Sequence, residues 1–278
     1  MSVSTTRHTK PVTSVLLHEA LAPLCADPTA TAVLLDIDGT LSPIVDHAAE
    51  ARVPETTRQQ LIAISRIYGT VACVSGRRAS EARAMVSIGT ISYIGSHGAE
   101  ILRAGATGAE LDPQLARWTE RIEAFRRSAD TPDLRRRRVR IEDKGPIVAF
   151  HWRGAPDETA ARRAVDAIAE AAQAAALTVH WGRKVMEVRP PVHFHKGAGI
   201  AQLLADGPAT RALYAGDDVT DLDAFRALRE LCEAGVLEHC VCVGVRSEDG
   251  PPEIERSADL VVDGPDGVRD VLSVLAAA

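Results

Sequence analysis

The segment Leu35-Asp36-Ile37-Asp38-Gly39-Thr40-Leu41 places two carboxylates two positions apart at the end of an apolar run. Unpaired charges are costly to bury, so acids closing a buried strand call for an explanation. A spacing of two at a strand end sets both carboxylates near one cavity, while Gly39 lets the chain turn away. Such a pair can supply a nucleophile and a proton carrier. Taken alone, Asp-x-Asp-Gly reads equally well as a strand ending in a polar turn. Three later positions shift the balance. Ser75-Gly76 offers a hydroxyl and a flexible backbone, Lys196 a cation, and Gly216-Asp217-Asp218 with Asp221 further acids. Together they provide a nucleophile, donors for a phosphate, a positive charge and oxygen ligands for a hard metal. Mg2+ takes a few oxygen ligands alongside water and substrate phosphate, which suits so sparse an acid set.

The elements that must position these residues alternate. A strand over 31–38, apolar on both faces, suits the centre of a parallel sheet. A helix over 54–68, a strand over 70–74, a helix over 79–86 and a strand over 91–94 follow. That order is the signature of a doubly wound α/β fold. The pattern changes over 109–191. This block carries a charged helix over 113–127, a breaker at 130–133 and a hairpin of strands over 139–143 and 147–153. An Ala-rich helix over 158–176 and a strand over 178–189, stopped by Pro190-Pro191, complete an inserted α+β domain. The parallel pattern then resumes, with helices over 196–204, 221–231 and 268–275 and strands over 212–215, 241–245 and 260–262. The expected domains are therefore a core of 1–108 with 192–278, and an insert of 109–191. The core opens on a loose tail and helix over 1–30.

Bulk properties exclude some classes. The 278 residues suffice for a core domain with a large insertion. A net charge of -6 argues against a general nucleic-acid binder, whose footprint is basic. No run approaches the ~18 apolar residues of a membrane span. The N-terminal stretch carries His18 and Glu19 and has no clear cleavage site, which speaks against a signal peptide. Five cysteines without a CxxC pair read as free thiols in a reducing cytoplasm. The run 135–138, four arginines, reads as a solvated face.

Asp36-Ile-Asp-Gly-Thr-Leu41, Ser75, Lys196 and Gly216-Asp-Asp218 match in order the four motifs of the haloacid dehalogenase-like phosphatases. The resemblance implies a Rossmannoid core with an inserted cap. It implies Asp36 as nucleophile, forming a transient aspartyl phosphate, and Asp38 as general acid and then base. It gives Ser75 and Lys196 the phosphoryl oxygens. Mg2+ falls to Asp36, the backbone carbonyl of Asp38, and Asp217. Asp218 and Asp221 are implied only as outer groups or water-mediated ligands.

The chain resembles the trehalose-6-phosphate phosphatases more closely still. The carrying segments are Ser75-Gly-Arg77, Gly95-Ser-His-Gly98, Ile141-Glu-Asp-Lys144 with His151-Trp-Arg153, Gly182-Arg-Lys-Val-Met-Glu-Val-Arg-Pro190 and Gly216-Asp-Asp-Val-Thr-Asp-Leu-Asp-Ala-Phe225. The family usually has an acid where this chain has Leu222. Period two sets Arg140, Glu142 and Lys144 on one strand face, compatible with sugar hydroxyls or with an ordinary solvated sheet. The resemblance assigns disaccharide contacts to Glu142, Lys144, Arg153 and Glu187, with Arg183 or Lys184 as further candidates. It sets Arg77, His97 and Gly98 on the substrate side as well, although His97 reads equally well as part of a structural turn. The implied reaction is hydrolysis of trehalose 6-phosphate to trehalose and phosphate. The implied partner is that small sugar phosphate, with no nucleic acid and no membrane; whether a trehalose-6-phosphate synthase is a partner is left open by the sequence. Rival readings are a phosphatase for another sugar phosphate (sucrose phosphate, or a glucosyl or mannosyl phosphoglycerate), a non-catalytic sugar-phosphate binder, and a receiver domain.

Overall fold

A computed structural model describes residues 14–45, 50–192, 194–205, 207–247 and 250–278. The start of the expected N-terminal tail lies outside them. The chain forms two compact units, one holding residues up to Ala109 with His195–Ala278, the other Glu110–Phe194.

In chain order, α1 (Ser14–Cys25) leads to β1 (Thr31–Asp36), α2 (Glu55–Ile64), β2 (Thr70–Val74), α3 (Ala79–Val86), β3 (Ser92–Gly95) and β4 (Glu100–Leu102). The second unit opens with β5 (Glu110–Leu111), α4 (Pro113–Ala116), α5 (Thr119–Ala129) and α6 (Pro132–Arg136). It continues through β6 (Arg140–Asp143), β7 (Val148–His151), α7 (Glu158–Ala174), β8 (Thr178–Gly182) and β9 (Val185–Arg189). The first unit resumes with α8 (Lys196–Ala205), β10 (Arg211–Gly216), α9 (Asp221–Glu233), β11 (His239–Arg246), α10 (Pro252–Ser257), β12 (Leu260–Asp263) and α11 (Gly264–Ala276).

The first unit's strands run in the order β12-β11-β10-β1-β2-β3-β4. All pairs are parallel except β3 with β4, where Gly95 faces Glu100 across an antiparallel step. Its strands bury both faces, as the apolar run of β1 requires. Odd-numbered Val33, Leu35, Leu213 and Ala215 pack with α1, α2, α3 and α11. Even-numbered Ala32, Leu34, Ala212 and Tyr214 pack with α8, α9 and α10. From β1 the order proceeds outward through β2 and β3 on one side and through β10, β11 and β12 on the other. The switch point therefore lies between β1 and β10, and ligands of such sheets bind at the carboxyl ends there.

The second unit is a four-stranded antiparallel sheet, β6-β7-β9-β8, with α7 on one face. Phe150, Met186 and Val188 point into that packed side.

Several details depart from the sequence reading. The expected strand over 178–189 is a hairpin whose register pairs Gly182 with Val185. The chain turns through Arg183-Lys184, with Lys184 at φ 61°. A lysine in the left-handed region carries no turn signal, and the apolar pattern runs on through it. The helix expected over 113–127 breaks at Arg117-Trp118, where the Trp118 N–H bonds to the Leu115 carbonyl in a tighter turn. β4, too short for a periodic signal, was not anticipated. In the run 135–138, Arg135 pairs with Asp130, and Arg136 and Arg137 with Asp133, as a solvated face would.

Candidate active site

Period two sends Asp36 to the same face as Ala32 and Leu34, beneath the helices that begin with Lys196 and Asp221. Lys196 Nζ lies 2.5 Å from Asp36 Oδ1 and 2.6 Å from Asp221 Oδ1. All three side chains are buried. Burial alone would discharge the Lys196 ammonium, but Asp221 and Asp36 outweigh it and hold the group above its ordinary range. The Asp36 carboxyl is pushed well up, first by burial, with Lys196 opposing and Asp221 and Asp217 adding to the rise.

Asp221 accepts four hydrogen bonds. Its Oδ1 takes Lys196 and the Tyr214 hydroxyl, and its Oδ2 takes the N–H groups of Asp217 and Asp218. This carboxylate fixes the turn that carries Asp217. The Asp217 Oδ1 in turn accepts from the buried Thr40 hydroxyl. Burial and Asp221 push the Asp217 carboxyl up to about 7, against the pull of Thr40 and Lys196. Gly39, at φ 92°, lets the first loop pass beside it; a Cβ there would meet Asp217 Oδ2 at 2.1 Å.

Asp36, Asp217 and Asp221 each offer an oxygen within 4.8 Å of one another. Three buried carboxylates against one ammonium leave an excess of negative charge when ionised. A divalent cation with a taste for oxygen would cancel it, so the residues fit such an ion. Since Asp221 is already filled by four donors, Asp36 and Asp217 are the acids with capacity for a metal.

Arg77 lies against the first loop. Its guanidinium forks onto the Asp38 carboxylate, Nε to Oδ2 at 2.8 Å and Nη2 to Oδ1 at 2.6 Å. The Arg77 N–H bonds to the buried Ser75 hydroxyl, which keeps its own proton to donate. His97 N–H bonds to the Ser75 carbonyl and Ser96 N–H to that of Arg77. Ser96, His97 and Gly98 all have positive φ, and Gly98 lies against the carbonyl of His195 at the head of α8. This strained loop ties the Ser75 turn to the helix bearing Lys196, so His97 and Gly98 act as a clamp.

In the second unit the face away from α7 is polar. Register aligns Glu142, Ala149, Glu187 and His180 across the sheet. The two glutamates flank Ala149 at about 10 Å, two strand spacings. His151 donates to Glu142 at 2.6 Å, and that bond lowers the Glu142 carboxyl. Lys144 and Arg189 both bind Glu187. Burial works against ionisation there, but the two cations hold Glu187 at about 2. Arg153 stands beyond β7 against the Arg183 carbonyl, joined to neither glutamate, and Lys184 pairs with Glu158.

A family profile described as trehalose-phosphatase matches residues 34–253. The chain belongs to the trehalose-phosphatase family. A trehalose-phosphate phosphatase of Mycobacterium avium is 34% identical over 71% of this chain and 51% of its own length. A probable trehalose-phosphate phosphatase of Sinorhizobium fredii is 28% identical, covering 95% of this chain and 94% of the relative. The chain spans about half the length, or less, of curated relatives it matches at the higher identity. Among solved structures, the trehalose-6-phosphate phosphatase C-terminal domain of C. albicans shares the fold. Its TM-score is 0.70 at 21% identity, over 97% of this chain and 99% of that one. The fold is haloacid dehalogenase-like, as the four motifs implied.

The quoted motifs contain Thr40, His151 and Arg189 without a role for any of them, and Tyr214 stands just before the last motif. Tyr214 was findable, since period two along β10 sets it on the face of Asp36.

Proposed function

We propose that this chain hydrolyses trehalose 6-phosphate to trehalose and phosphate, with Asp36 as nucleophile. The observation that carries the reading is the buried Lys196 ammonium, held against Asp36 at the switch point beside Asp217. Asp36 attacks phosphorus as the bond from phosphorus to the sugar oxygen breaks, and the leaving oxygen takes a proton from Asp38, which enters this step in its protonated form. In the second half Asp38 takes a proton from water, whose oxygen displaces Asp36 from phosphorus and releases phosphate. Lys196 and the Ser75 hydroxyl hold the phosphoryl oxygens. Mg2+ would be held by Asp36, Asp217 and the backbone carbonyl of Asp38. When bound, it offsets the charge gathered on the phosphoryl group.

The sugar is read by the polar face of the second unit, where Glu142, Glu187 and Lys144 are held by their own partners. The family and the nearly full-length match to the S. fredii relative support trehalose 6-phosphate over other sugar phosphates. A synthase making that ester is the supplier this reading requires. Five free cysteines suit a reducing cytoplasm, and among the described residues no helix is long and apolar enough to cross a membrane.

A substrate panel with Mg2+ and a chelator control tests the reading. Trehalose 6-phosphate is expected far ahead of sucrose 6-phosphate and glucose 6-phosphate, with activity lost on chelation. Equal rates across the panel would reject the specificity. In Glu142→Ala and Glu187→Ala the preference should narrow while phosphate release continues.

A further inference from the structure

Two buried hydroxyls bond directly to the acid cluster, that of Thr40 to Asp217 and that of Tyr214 to Asp221. The second has no role in the proposed reaction. Tyr214 lies on β10, two residues before Gly216, and is fully buried. Its O–H donates at 2.6 Å to Asp221 Oδ1, the same oxygen that receives Lys196 Nζ. The ring is held edge-on by Phe225 of α9, with centroids 5.9 Å apart at 81°. The hydroxyl is therefore aimed by packing and has little freedom to turn elsewhere.

This bond reaches two functional groups through one carboxylate. Asp221 can rotate about its side chain only if it leaves its donors. With Oδ1 fixed by Tyr214 and Lys196, Oδ2 stays aligned on the N–H groups of Asp217 and Asp218. Those bonds set the turn that presents the Asp217 carboxylate beside Asp36. Loss of an outer partner that orients ligating groups in this way typically costs about 10–100-fold in metal affinity.

We infer that Tyr214 is a positioning residue whose hydroxyl, through Asp221, holds Lys196 and the Asp217 turn in register for a divalent cation. The inference rests on the reading of Asp36, Lys196 and Asp217 as phosphoryl-transfer machinery.

Tyr214→Phe keeps the ring and its packing and removes only the hydroxyl. Tyr93→Phe is the control. Tyr93 is also fully buried in this sheet, on the opposite face, and its hydroxyl donates to the Ile88 carbonyl, away from the acids. Both variants lose one buried hydrogen bond, and both should unfold at lower temperature. Mn2+ binding to the full chain is then followed by calorimetry without substrate, as a probe of the cation site. Tyr214→Phe is expected to weaken Mn2+ by roughly tenfold, while Tyr93→Phe binds as wild type. With trehalose 6-phosphate, kcat should fall in Tyr214→Phe with KM nearly unchanged. Wild-type Mn2+ affinity in Tyr214→Phe, or an equal loss in Tyr93→Phe, would overturn the inference. A wild-type protein that binds Mn2+ but releases phosphate from no sugar ester would sink the proposed function instead. The Mn2+ titration alone would then decide the role of Tyr214.

Discussion

Lys196 Nζ lies 2.5 Å from Asp36 Oδ1 although the two residues are 160 positions apart. The contact joins the first residue of α8 to the last residue of β1 inside a site shielded from water. Buried pairs of this kind are worth little against an apolar substitute, but breaking one leaves a charge without compensation.

Lys196→Met should therefore lower stability by about 3–5 kcal/mol and abolish phosphate release. Asp36→Asn should abolish release while the protein stays folded, because the amide oxygen can still accept from Lys196 and Asp221 still balances the ammonium. Urea unfolding beside a phosphate-release assay checks both. Normal turnover in Asp36→Asn would remove the nucleophile assignment.

The fork of Arg77 onto Asp38 predicts a loss in kcat rather than in substrate binding. Arg77→Lys keeps a charge but cannot make two parallel bonds to a carboxylate. Misplacing Asp38 should reduce kcat by at least about tenfold with KM within roughly twofold. A rise in KM at constant kcat would instead return Arg77 to the substrate, where its motif had suggested it.

Gly98 sits at φ 100°, and a Cβ there would lie 2.2 Å from the His195 carbonyl oxygen. Gly98→Ala should destabilise the first unit by about 1–3 kcal/mol and displace the head of α8. Thermal unfolding and kcat should fall together. A variant with wild-type stability would show that the clamp between the Ser75 turn and α8 carries no strain.

Glu187 gives a pH dependence of defined sign. Its carboxyl is held at about 2 in the folded protein, against an ordinary value of 4.5. A lowered value means stability that is present above about pH 4.5 and lost as pH falls through about pH 2, on the order of 3 kcal/mol. Glu187→Gln should be less stable than wild type at neutral pH, and the difference should shrink as pH drops through that window. Urea unfolding across the series reads it. A difference independent of pH would contradict the Lys144–Glu187–Arg189 cluster as the cause.

Much of the core was legible because it is written in short repeats. The apolar run before Asp36, the small residues after β2 and the acids after β10 are local signals, and each strand end announces itself. The hairpin at Arg183-Lys184 was not legible, since its turn uses a lysine in a conformation that glycine or asparagine would normally mark. The partner of Arg77 was not legible for a different reason. Its motif tells what it stands beside in the chain, while its guanidinium forks onto a residue from another loop.

The sequence by itself determined the alternation of strands and helices, the insertion, and which residue types gather at the carboxyl edge of the sheet. Those follow from periodicity and burial, which act over a few residues at a time. Only the tertiary structure decided which acid is filled and which is open. The family resemblance set Asp217 apart from Asp221, and the packing supplies the physical difference, since Tyr214, Lys196 and two backbone N–H groups fill Asp221. That difference comes from hydrogen-bond directions fixed by packing α8 and α9 on the sheet, which no local pattern encodes.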